Sequence, residues 1–208
     1  MNLLYKGAIT TGIIGTGGVG TYYGIQALGT TKVKDQLKNR LLSTIGTTNQ
    51  SQWEARLASL REDKVKKEDL TSELQEIKDK SKNKTWESLR DWCSSKVEES
   101  YEGEDLKFKE IVSYCTFRNK DKFKGTVISE TTVSTKWTKA NGIITGKSEG
   151  LSPTLQAIKK KLEASSGKDT SALKKWCEET YETPWTTNED PNFQDAQQYC
   201  LDDSSLTS

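Results

Sequence analysis

The chain has 208 residues, 32% of them apolar and 29% charged, and its 31 basic and 30 acidic side chains leave a net charge of +1. The charges interleave without a sustained basic stripe, which argues against nucleic acid as a partner. Histidine is absent, which removes the commonest general base, the commonest zinc ligand and every imidazole-based triad; no catalytic, cofactor-binding or metal-ligating residue is expected.

The first element is an uncharged stretch between Lys6 and Lys32. As a helix its 25 residues would extend about 37 Å, enough to cross a hydrocarbon core of about 30 Å. Eight glycines from Gly7 to Gly29 weaken its hydrophobicity, but membrane helices tolerate glycine. Residues 1–31 therefore read as a membrane anchor or signal segment, with the lipid bilayer as partner through residues near Gly7 to Gly29. Ile25 and Ala27 make a poor cleavage signal, so retention as an anchor is expected. Lys32, Lys34, Lys38 and Arg40 follow the segment, and the positive-inside tendency would keep the body in the cytoplasm. The cysteines argue the opposite, as set out below.

Residues 32–42 read as a linker and 43–120 as a first helical module. Ser51-x-x-Glu54 resembles a capping box opening a helix through Trp53, Leu57 and Leu60, whose spacing lines one face. Leu70, Leu74 and Ile77 mark a second helix. A third runs from about Thr85 to Tyr101, with Leu89, Cys93 and Val97 stacked, and a fourth carries Phe108, Ile111, Val112 and Cys115.

Residues 121–203 read as a second module on the same plan, and 204–208 as a disordered tail. Leu89-x-x-Trp92-Cys93 returns as Leu173-x-x-Trp176-Cys177, and Phe108-x5-Tyr114-Cys115 as Phe193-x5-Tyr199-Cys200. Thr47, Thr48, Ser51 and Trp53 return as Thr131, Thr132, Thr135 and Trp137, in the 84-residue register that separates Trp92 from Trp176. Such a repeat means two tandem units of one architecture. The second opens with a Thr- and Val-rich stretch, Gly125 to Trp137, that suits a short strand, and Asn141-Gly142 and Gly146 are expected to break the next segment. Ser152-Pro153 starts a helix through Leu155, Ile158 and Leu162, the Trp-Cys helix restarts near Thr170, and Asp190-Pro191 opens the last helix.

All four cysteines fall inside the duplication, and four cysteines allow three connectivities. An antiparallel helical hairpin turning near Glu104 sets Cys93 level with Cys115, and one turning between Asn188 and Glu189 does the same for Cys177 and Cys200. Disulfides Cys93–Cys115 and Cys177–Cys200 are therefore expected, with Trp92, Tyr114, Trp176 and Tyr199 packed beside them. Modules this small and polar have thin cores and benefit from a covalent loop closure. Disulfides require an oxidising compartment, so the body is placed outside the cell despite the charge asymmetry at the anchor.

Two motifs resemble phosphate-binding turns. Gly15-x-Gly17-x-x-Gly20 fits a dinucleotide fingerprint but lacks a βαβ context and an acidic residue about twenty positions on. Gly142 to Ser148 ends like a P-loop with one residue too few between its glycines. The first leaves one alternative in view: a cytoplasmic nucleotide-dependent enzyme using that Gly-rich turn.

The Trp92-Cys93, Tyr114-Cys115, Trp176-Cys177 and Tyr199-Cys200 units behind a Gly-rich apolar start resemble large paralogous families of uncharacterised membrane or surface proteins of haemotropic mycoplasmas. The resemblance covers the layout and is specific only at those motifs. It implies a membrane-associated, surface-exposed protein concerned with host-cell contact or antigenic display, and supplies no catalytic residue. The expected architecture is mainly α: an N-terminal membrane helix followed by two small modules, each closed by a disulfide-linked helical hairpin.

Overall fold

The computed structural model describes residues 31–130 and 134–202. The expected anchor at 1–31, all but its last residue, and the tail at 204–208 lie outside the described residues. Among the described residues no helix is long and apolar enough to cross a membrane.

The body is helical, with α1 (Val33–Leu37), α2 (Gln50–Leu60), α3 (Ser72–Lys78), α4 (Trp86–Lys96), α5 (Leu106–Cys115), α6 (Thr135–Gly146), α7 (Pro153–Glu163), α8 (Ala172–Glu182) and α9 (Pro191–Tyr199). The apolar residues form two cores. One gathers Trp53, Leu60, Leu74, Leu89 and Ile111 from α2 to α5; the other gathers Trp137, Ile144, Leu155, Leu173 and Ala196 from α6 to α9. Each core arises because every helix turns one narrow stripe inward, as with Leu155, Ile158 and Leu162 on α7, while its lysines and glutamates stay in water.

Caps explain several boundaries. Ser152 accepts from the Leu155 N–H ahead of Pro153, and Asp190 accepts from Asn192 and Phe193 ahead of Pro191, so two expected starts hold. The expected box at Ser51 does not form. α2 is instead preceded by Asn49 in the left-handed region, φ 59°, where asparagine is better tolerated than most residues.

The segment 32–42, expected as a linker, is part of the first core. Val33, Leu37 and Leu42 are buried, and Val33 and Lys34 donate backbone bonds to Glu99 (3.0 Å) and Val97 (2.9 Å). Its counterpart opens the second half. The Val33–Glu99 bond is matched by Asn119 to Thr183 (3.0 Å), Tyr101 to Thr31 (2.7 Å) by Trp185 to Phe117 (2.8 Å), and Leu42 to Cys115 (2.9 Å) by Ile128 to Cys200 (3.1 Å). Lys32 and Lys34 pair with Glu98 as Arg118 and Lys120 pair with Glu182. The structural repeats are thus 31–116 and 117–202, each an opening segment plus four helices.

Further bonds repeat within this frame. Trp53 donates its indole N–H to the Ser43 carbonyl (3.1 Å) and Trp137 to Glu130 (3.2 Å). Glu110 accepts from the Thr71 N–H and hydroxyl, and Asp195 accepts from Ser152, so an acid on the last helix fastens the start of the second in both repeats.

The described residues of the Thr- and Val-rich stretch of the second half form no strand. Val127 forms an isolated bridge with Leu201, and α6 takes over at Thr135. Asn141-Gly142 does not break that helix, because the buried face of Trp137, Ala140 and Ile144 outweighs glycine's cost of about 1 kcal/mol.

Candidate functional site at the repeat junction

The predicted sulfur residues pair as expected. Cys93 bonds Cys115 and Cys177 bonds Cys200, with Cα separations of 5.6 and 5.7 Å, and no cysteine is free. All four are at most 1% exposed, which makes them fastenings rather than reactive groups. Trp92, Tyr114 and Tyr199 are buried and Trp176 is partly buried against its core, so these aromatics pack as the sequence suggests. Of the two phosphate-loop look-alikes, Gly142 and Gly146 are helical residues of α6, and Gly15 to Gly20 lies outside the described residues. Among the described residues no group of acids or cysteines has the spacing to hold a metal.

What the sequence does not announce is the junction. Arg56 is fully buried; its Nε and Nη2 donate to the Thr116 carbonyl at 3.3 and 3.2 Å, and Nη2 also pairs with Asp121. Arg118 pairs with Glu182 of the second repeat and donates to the Ser59 hydroxyl of the first (2.9 Å). Asn119 donates its side-chain amide to Thr180 (3.0 Å). Arg40 donates Nε to the Trp185 carbonyl (3.0 Å), and the Lys122 ammonium sits 3.5 Å from the Phe117 ring centroid and 5.0 Å from that of Trp185. The repeats are therefore held at one angle by charge-assisted bonds.

Three of the chain's five arginines, Arg40, Arg56 and Arg118, are in this latch, while Arg61 and Arg90 donate to backbone carbonyls elsewhere. In a chain otherwise so rich in lysine, arginine marks positions where a rigid planar fork must reach two acceptors. That was the available signal for the junction.

Beside the latch runs an open groove of about 310 Å³, lined by Leu37, Lys38 and Arg40 of the first repeat and Trp185, Thr187 and Asn188 of the second. Lys38 holds φ 30°, a conformation that costs a non-glycine residue energy and that clusters at functional positions. Burial draws the Arg40 pKa below its ordinary value, and no carboxylate pairs with it among the described residues. A larger groove of about 470 Å³ lies between α7 and α8. It is the weaker candidate: Lys175 on its wall is already neutralised by Asp169 at 3.1 Å.

No family model, characterised protein or solved structure matches the chain. The residues' own chemistry must therefore carry any functional reading.

Glu182 gives the latch a pH dependence. Its burial alone would raise its pKa, but the Lys120 hydrogen bond and the Arg118 charge outweigh that and hold it below its usual 4.5. A carboxylate depressed on folding stabilises above its unfolded pKa, and that contribution fades as pH falls through the folded value. The melting-temperature gap between wild type and Glu182→Gln is thus expected to be widest near neutral pH and to close below about pH 4.5. A gap that stays constant on acidification would show that the carboxylate's charge does not contribute.

Proposed function

We propose that the chain is a membrane-anchored surface protein whose paired repeats form a rigid body displayed outside the cell for host-cell contact or antigenic display. The observation that carries this reading is the use of every cysteine in a buried disulfide, once per repeat. Such bonds persist in oxidising compartments and are rare in a reducing cytosol. The anchor rests on the uncharged stretch near Gly7 to Gly29, and the contact role on the resemblance to the mycoplasma surface families. A body with its charged side chains largely in water and its cores closed by crosslinks also suits exposure to an uncontrolled medium.

Protease added to intact cells tests the placement. Cleavage of the body before lysis, together with a lack of alkylatable thiols in unreduced protein, is the expected result. A body cut only after lysis, or four titratable thiols, overturns the reading.

A further inference from the structure

We infer that the groove between the repeats is a binding site for an acidic saccharide, a sugar ring bearing a carboxylate. The charge balance of the groove sets the sign of the ligand. Lys38 and Arg40 line the groove without a carboxylate partner among the described residues. Against these two cations the rim offers one acid, Glu189; Asp190 nearby is occupied in capping α9. The Arg40 Nε is committed to the Trp185 carbonyl, which fixes the guanidinium plane, while its Nη atoms make no other hydrogen bond among the described residues. A guanidinium oriented in this way is suited to a planar carboxylate.

The remaining lining selects a sugar rather than a bare ion. Trp185 lines the groove with a large, partly buried apolar ring of the kind against which sugar C–H faces pack. The Thr187 hydroxyl accepts from the Glu189 N–H (3.0 Å), leaving its proton to donate, and the exposed Asn188 amide makes no hydrogen bond among the described residues. These groups suit ring hydroxyls. The volume of about 310 Å³ is at the small end of ligand sites, and junctions between structural units are where such sites concentrate. The strained Lys38 backbone holds one of the cations at the groove wall.

The site deepens the contact role proposed above, and its test uses purified full-length chain in sugar-free detergent, so it stands or falls apart from surface placement. Saturation-transfer NMR and titration with glucuronate, glucose and acetate are expected to show glucuronate bound at least ten-fold more tightly than the other two. Arg40→Gln should weaken glucuronate at least ten-fold. If that variant melts early, Lys38→Ala and Asn188→Ala, both on exposed side chains, carry the test with an expected loss of three-fold or more each. Equal binding of acetate would mean an adventitious ion only, equal binding of glucose would remove the role of the cations, and no signal from glucuronate would remove the site; each overturns the inference.

Discussion

Replacing Cys177 and Cys200 together by alanine should destabilise the second repeat by about 3 kcal/mol, the loop-closure contribution expected for a crosslink spanning a little over twenty residues. For a body whose two repeats unfold together that corresponds to a fall in melting temperature of roughly 6–12 °C. The loss is large relative to a core whose principal members are Trp137, Ile144, Leu155 and Leu173. Both sulfurs are fully buried, so alanine is the appropriate replacement; serine would add an unpaired hydroxyl to the core. Tyr181 will retain part of the fastening, because its hydroxyl donates to the Cys200 carbonyl. Calorimetry of the double variant, beside wild type with and without reductant, provides the measurement. A shift of only a degree or two would mean that the helices hold without the crosslink.

The helical content, the four-helix plan of each half and both sulfur pairings were legible because they depend on local periodicity and on motifs repeated in a single register. The opening segments were not. Lys32, Lys34 and Asp35 recur as Arg118, Lys120 and Asp121 at a spacing of 86, whereas the tryptophans recur at 84, so the register slips by two where the loop before α2 is longer than its counterpart. Leu70, Leu74 and Ile77 recur as Leu151, Leu155 and Ile158 at 81. A search locked to one offset finds the motif-bearing helices and misses the pieces that join them. Val33, Leu37 and Leu41 do lie at helical spacing, yet the lysines around them make that stretch resemble a solvated linker.

The junction was hidden for a different reason. Its members, Arg40, Arg56, Arg118, Asp121, Glu182 and Trp185, come from four places in the chain, and no spacing rule links them. Comparing the repeats after folding shows what is special. Arg56 of α2 occupies the place that Ala140 occupies in α6, and Tyr101 stands where Trp185 does. The first repeat carries charges on the side that meets its successor, while the second carries a small apolar residue there. Repeat identity thus builds the cores, and repeat difference builds the contact between them.

Arg56→Met should be among the most damaging single substitutions, costing about 3–5 kcal/mol because it leaves a buried carboxylate without its cation. Arg56 is fully buried and Asp121 has a side chain 8% exposed, so the lost charge cannot be replaced freely by solvent. Burial already pulls the Arg56 pKa down, and the nearby Arg118 adds to that, with Asp121 opposing both. The guanidinium is therefore held in place by its partners and is not stable there on its own. Removing it also strips the Thr116 carbonyl of both its side-chain donors. Two results separate a junction role from a general packing role. The variant should melt in two steps where wild type melts in one, with faster amide exchange at Phe117, whose N–H is bonded across the junction to the Arg40 carbonyl (2.8 Å). Adding Asp121→Asn, which keeps an acceptor for the Arg118 N–H but removes the stranded charge, should restore part of the loss. If Arg56→Met stays within about 1 kcal/mol of wild type, the ion pair does not hold the repeats together, and the angle between them must come from the Phe117 N–H bond to the Arg40 carbonyl and from the Arg40–Trp185 and Arg118–Ser59 bonds.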